Sequence, residues 1–296
     1  MAGKIRNYSF LKNYNHYVPT VADLFILLVW FLVGILVGNV ITLVFNFTLG
    51  TEAAQEYGML VAYPMMFIPP MIYAATKSHS NSINRKGIKM DSNNFAPKGA
   101  ALCAVLVVLG TIALSFCADA AMAIMPDMPT WLEDILKGMT QGTVWVNFIC
   151  VSIYAPLFEE WLCRGMVLRG MLANGMKPVK TIIISALVFA IIHANPWQAI
   201  PAFLLGLLFG YVYYKTGSLK LTMLMHFANN TFALTLGNID SLKDMDSWMD
   251  VFPGGQYWLM FAGFLLIAGI VVKMFHDIPL QQERGNLDEV PALFEE

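Results

Sequence analysis

Apolar and polar positions fall into long blocks along this chain. Eight runs with almost no charge, at about 22–47, 56–76, 98–118, 143–163, 180–194, 198–214, 219–237 and 255–275, alternate with polar stretches. A membrane-crossing helix needs about 20 mostly apolar residues. The pattern therefore predicts an all-α polytopic membrane protein, a bundle of about eight transmembrane helices. The fifth and sixth runs are short and joined by Asn195-Pro196-Trp197-Gln198, which predicts a tight turn with an interfacial tryptophan. Pro64, Pro69 and Pro70 predict a kinked or partly unwound second helix. A basic start (Lys4, Arg6, Lys12) precedes the run from Leu24 to Phe47, which is too long for a signal peptide and lacks a small-residue cleavage site. It reads as a retained span.

The loop charges orient the bundle. With the N-terminus in the cytoplasm, 16 of the 18 basic residues fall on the cytoplasmic side, Arg164, Arg169 and Lys215 among them, and only Lys137 and Lys243 fall opposite. The opposite loops are acidic (Asp119, Asp127, Glu133, Asp134, Asp240, Asp244, Asp246, Asp250). Cytoplasmic loops of membrane proteins are enriched in Lys and Arg, so this asymmetry predicts eight spans with both termini cytoplasmic. The spans divide the chain into helices 1–3 with their loops (1–142), a core of helices 4–7 (143–237), a last loop with helix 8 (238–275), and a polar tail (276–296) with six acids against one arginine.

Composition agrees with a membrane protein: 57% of residues are hydrophobic and 13% charged, with a mean hydropathy of +0.60. A net charge of −2 without a basic, aromatic-interleaved cluster excludes a nucleic-acid partner. Cys103, Cys117, Cys150 and Cys163 lie in or beside apolar runs without CxxC spacing, so they read as buried thiols.

The candidate chemistry is the set of polar residues that a bilayer should reject. Glu159 and Glu160 interrupt an apolar run, with Arg164 one turn on. Residues i and i+4 share a helix face. Glu160 is therefore placed to pair with Arg164, leaving Glu159 on another face without a helical counterion. A plain interfacial salt bridge would account for this group taken alone. His193 follows Phe189 by one turn, and His226 precedes Asn230 by one turn. A lone histidine in a span commonly serves as a helix–helix hydrogen-bonding residue. Three such features on successive polar-bearing helices ask for a shared explanation. A carboxylate withdrawn from water is a competent base, and histidine and asparagine can orient water or donate to an oxyanion. Peptide hydrolysis would need no serine or cysteine in that scheme. Two histidines and a glutamate would also suit zinc, although no HExxH is present, and the reading favoured here needs no cofactor.

The three motifs, Glu159-Glu160-x-x-x-Arg164, Phe189-x-x-x-His193 and His226-x-x-x-Asn230, resemble in order those of the CAAX protease and bacteriocin-processing (CPBP or Abi) family, which includes the type II CAAX prenyl endopeptidases. The resemblance covers roughly residues 145–236. It implies an intramembrane glutamate endopeptidase in which Glu159 is the general base and His193 helps activate the water. His226 and Asn230 would form the oxyanion hole, with Glu160 and Arg164 supporting them. The implied partner is a peptide or membrane-protein substrate, lipidated in the best-known members, cut near the cytoplasmic face of a membrane such as a prokaryotic plasma membrane. Other members are described as self-immunity proteins or regulators of membrane partners, so a non-catalytic scaffold is the rival reading. An ion-coupled transporter predicts polar residues in both halves of the chain, and here they concentrate in the second.

One expectation concerns depth. Glu159 lies near the cytoplasmic end of its predicted span, whereas His193 lies 12–14 residues into the next, about 18–20 Å away in depth at 1.5 Å per residue. The two can meet only if the fourth span extends beyond the bilayer or the fifth starts well outside it, or both, around a water-filled cavity open to the cytoplasm.

Overall fold

The computed structural model describes residues 10–84, 87–122, 125–133, 143–242, 245 and 247–280. The expected polar tail beyond 280 lies outside them. So do Lys4, Arg6, Arg85, Lys86, Asp134, Lys137, Lys243, Asp244, Asp246 and Arg284, on which part of the charge argument rests.

Each predicted run falls on a helix: α1 (Val21–Leu49), α2 (Thr51–Asn81), α3 (Ala100–Met122), α4 (Val144–Ala173), α5 (Pro178–Ile191), α6 (Pro196–Thr216), α7 (Leu219–Gly237) and α8 (Gly255–His276). Six of these, α1, α2, α3, α4, α6 and α8, are long and apolar enough to cross a membrane. α5 is apolar but has 14 residues, and α7 is diluted by His226, Asn229 and Asn230. Both are packed among longer neighbours, α5 against α4 and α6, and α7 against α3, α4 and α6.

Local signals set the ends. Thr20 and Asp23 cap α1 reciprocally. Gly50, at φ +88°, reverses the chain between α1 and α2. α2 runs unbroken through its three prolines, so the expected unwinding is absent. Pro70 has no N–H to offer Met66, four residues back. That freed carbonyl lies against Gly34 of α1, where a Cβ would stand 1.9 Å from the Met66 oxygen. Gly34 and Gly38 thus form a small-xxx-small contact on which α1 meets α2. A membrane helix keeps its prolines where a neighbour covers the released backbone.

α4 is not uniform. Phe148–Tyr154 and Trp161–Leu168 are π-helical, flanking an α-helical Ala155–Glu160. Such wide turns are rare and are found disproportionately at functional sites.

The helix ends gather into two opposed sets. At one end, Arg169 reaches the carbonyls of Tyr14, Tyr17 and Ile88. Asn94 bonds to Lys215 O and Pro279 O, and Asp91 pairs with Lys220. Lys12, Lys77, Lys89, Lys98, Lys177, Lys180 and Lys273 belong to segments at this basic end. At the far end Trp197 Nε1 donates to Pro126 O, and Asp119 accepts from Ser247, Trp248 and Tyr257. Arg164, Arg169 and Lys215, grouped from sequence with the cytoplasmic charges, are buried inside the protein.

Candidate active site

Between α4, α5, α6 and α7 lies a cavity of about 680 Å³, closed on one side by Tyr63 of α2. Asn147, Val151, Ala155 and Glu159 of α4 line it at four-residue steps. A regular α-helix would rotate about 40° over each such step. The wide turn at Phe148–Tyr154 reduces that drift and keeps all four on the cavity. All four proposed catalytic residues, Glu159, His193, His226 and Asn230, line this space.

The depth difficulty is resolved by helix length. α4 continues ten residues past its predicted end, to Ala173, so Glu159 sits mid-helix rather than near the end of a span. The extension was hidden because Glu160, Arg164 and Arg169 read as the end of an apolar run, whereas they are buried in protein. Glu159 and His193 lie at similar separations, about 15 residues, from the turn joining α4 to α5, and at 1.5 Å per residue that makes them level.

Glu160 and Arg164 pair as helix geometry predicts, Nη1 to Oε1 at 2.8 Å, both side chains fully buried. Arg164 Nη2 also donates to Gly206 O at 3.0 Å. Its guanidinium lies 4.6 Å from the Phe189 ring centre and 5.2 Å from that of Phe209, a favourable contact for a desolvated cation. Glu160 has a second duty that sequence reasoning missed. Its Oε1 accepts from His226 Nδ1 at 3.1 Å. A carboxylate only accepts, so Nδ1 carries hydrogen and Nε2 is turned to the cavity.

Glu159 has a different environment. Its Oε1 accepts from the Tyr63 hydroxyl at 2.5 Å. Its Oε2 has no hydrogen-bond partner and stands 4.0 Å from His226 Nε2. Tyr63 also was missed. It lies 96 positions away in an apolar run, and nothing local marks it.

His193 stands two residues beyond the end of α5, where Nδ1 meets Phe189 O at 2.7 Å. A carbonyl accepts only, so this ring too presents Nε2 to the cavity. The next residue, Ala194, adopts φ +58°, a costly conformation without glycine. Asn195 steadies the turn, capping α6 through Gln198 N and donating to His193 O at 2.9 Å. The predicted tight turn is present, with Trp197 on the cavity wall. Phe189 sits edge-on to both imidazoles, 5.1 Å from His193 and 5.2 Å from His226. One ring thus spaces both histidines and covers Arg164.

Asn230 donates from Nδ2 to Val151 O at 2.8 Å, while its Oδ1 accepts from Asn229 Nδ2 at 3.2 Å. Those bonds fix which end of the amide carries hydrogens and leave one N–H of Nδ2 to donate. Asn229, unassigned from sequence, is therefore part of the cavity wall.

The serines and cysteines of this core, Ser152, Ser185, Cys150 and Cys163, are buried. Ser185 donates to Cys163 O at 2.9 Å. All four cysteines are buried. Among the described residues no three His, Cys, Asp or Glu side chains converge as a metal-binding group.

Residues 141–232 match the family described as type II CAAX prenyl endopeptidase Rce1-like, the family that the three motifs resemble. The match covers about a third of the chain and contains every motif residue. No curated protein and no solved structure matches the chain.

Proposed function

We propose that this protein is an intramembrane endopeptidase, CAAX-protease-like, that cleaves a peptide bond with a glutamate-activated water. The observation that carries the reading is Glu159 on the wall of a cavity shared with His193, His226 and Asn230, its buried Oε2 without a hydrogen-bond partner and 4.0 Å from His226 Nε2. Glu159 removes a proton from water as the oxygen attacks the peptide carbonyl, and the same proton then passes to the departing amine. His193 Nε2 accepts a hydrogen bond from that water and orients it. Asn230 donates its remaining N–H to the developing oxyanion. Because His226 gives its Nδ1 hydrogen to Glu160, Nε2 donates to the oxyanion only with both ring nitrogens protonated, the ring's charge then opposing the oxyanion while Glu160 stays paired with Arg164. The scheme needs no metal. Stoichiometric zinc by elemental analysis of the purified protein would replace it with a zinc mechanism. We further infer eight crossing helices with the basic end and both termini in the cytoplasm.

Glu159→Gln keeps the shape and removes the base. Peptide termini in membranes of cells making either version should differ, with a set present for the natural protein and lost for Glu159→Gln. Identical sets would refute proteolysis and favour a binding or scaffold role.

A further inference from the structure

The cavity has one open end and one closed end, and the open end is the far one. Its rim is formed by exposed residues at the far ends of three helices: Val144 of α4, Gln198 of α6, and Gly237 and Asn238 at the end of α7. Inward from the rim, burial increases to Phe209 and His226. Past Glu160, every residue from Trp161 to Met171 is buried. That layer packs against Tyr14, Tyr17 and Met90. The Arg169 guanidinium seals it by binding Gly165, Tyr14, Tyr17 and Ile88 carbonyls. Nothing lining the cavity comes from the basic end.

Charge decides which side of the membrane that is. All described lysines lie at the closed end, and chains retain lysine and arginine on the cytoplasmic side. Beside the rim, Trp145, Phe148 and Ile239 form an apolar groove that shares Val144, Leu234 and Asn238 with the cavity. A chain entering there can leave an apolar stretch in the bilayer while its polar part reaches Glu159.

We propose that the active site is entered from the side of the membrane opposite the cytoplasm, and that its substrate is the non-cytoplasmic segment of a membrane-anchored polypeptide. This replaces the cytoplasmic opening expected from sequence, and it rests on the protease reading for the word substrate but not for the direction of entry.

Thiol accessibility in the full-length protein tests the direction without activity. The parent, whose four cysteines are buried, is the blank. Asn238→Cys and Ala233→Cys probe the rim and wall, Glu159→Cys the depth, and Lys177→Cys the closed end. A membrane-impermeant thiosulfonate added to intact cells should label the first three, whereas Lys177→Cys should label only after permeabilisation. Labelling of Lys177→Cys from outside, or of the cavity positions only from the cytoplasm, overturns the proposal. If Glu159→Cys does not accumulate, Ala233→Cys carries the result. The termini that depend on Glu159 give a second readout, since they should map to non-cytoplasmic segments of their parent proteins. Cytoplasmic termini would overturn the proposal, while an absence of such termini would overturn proteolysis and leave the labelling result standing.

Discussion

The Tyr63 hydroxyl and Glu159 Oε1 are joined at 2.5 Å between α2 and α4, and that bond aims the second carboxylate oxygen. With Oε1 held, Oε2 faces His226 across 4.0 Å. Tyr63→Phe leaves the ring stacked on Phe67 and Tyr154 and removes only the bond. Hydrogen bonds to charged groups contribute about 1.5–3 kcal/mol, so turnover should fall about 10- to 100-fold with KM little changed. Cleavage kinetics of a peptide spanning a Glu159-dependent site would measure this, and unchanged turnover would remove Tyr63 from the mechanism.

Arg164 and Glu160 should be separable from catalysis by pairing substitutions. Arg164→Met leaves Glu160 buried with a histidine as its sole remaining partner, and breaking a buried pair in this way costs about 3–5 kcal/mol. Adding Glu160→Gln removes the carboxylate that has lost its arginine and should restore much of the thermal stability in detergent micelles. Activity should not return, because His226 loses the carboxylate that fixes its ring. A double variant no more stable than Arg164→Met would contradict the pairing.

Asn229 acts through its neighbour. Asn229→Ala releases the Asn230 carbonyl oxygen, so the amide can turn its oxygen toward the oxyanion. Removing one oxyanion donor elsewhere costs about 10²- to 10³-fold in turnover. The direct loss, Asn230→Asp, should reach that range, and Asn229→Ala should fall short of it. Equal turnover for Asn229→Ala and the natural protein would rule out the positioning role.

Gly34→Leu tests the α1–α2 contact. Its side chain would begin inside the Met66 carbonyl, and overpacking costs about 1–3 kcal/mol. The apparent melting temperature should drop, whereas Gly263→Leu, in open space on α8, should leave it near the natural value.

The eight helical blocks were legible because lipid imposes a length and a polarity on every segment it surrounds. The same logic misread α4. Hydropathy treats Glu160, Arg164 and Arg169 as the edge of a bilayer, yet their surroundings are protein, so the helix runs ten residues past its predicted end. Pairing of Glu160 with Arg164 was readable because it spans one turn of one helix. The bonds from Tyr63 to Glu159 and from His226 to Glu160 join separate helices, and no local spacing encodes them. The wide turns of α4 leave no compositional trace either.

Arg169 has a consequence for how the molecule is made. Its guanidinium binds five backbone carbonyls, of Tyr14, Asn15, Tyr17, Ile88 and Gly165, and every one lies upstream in the chain. Synthesis proceeds from the N-terminus, so all five acceptors already exist when Arg169 emerges. A cation that lipid would reject is then received by carbonyls from the segment before α1 and the loop after α2. Arg169 thus ties the helix that bears Glu159 to segments that are all made before it.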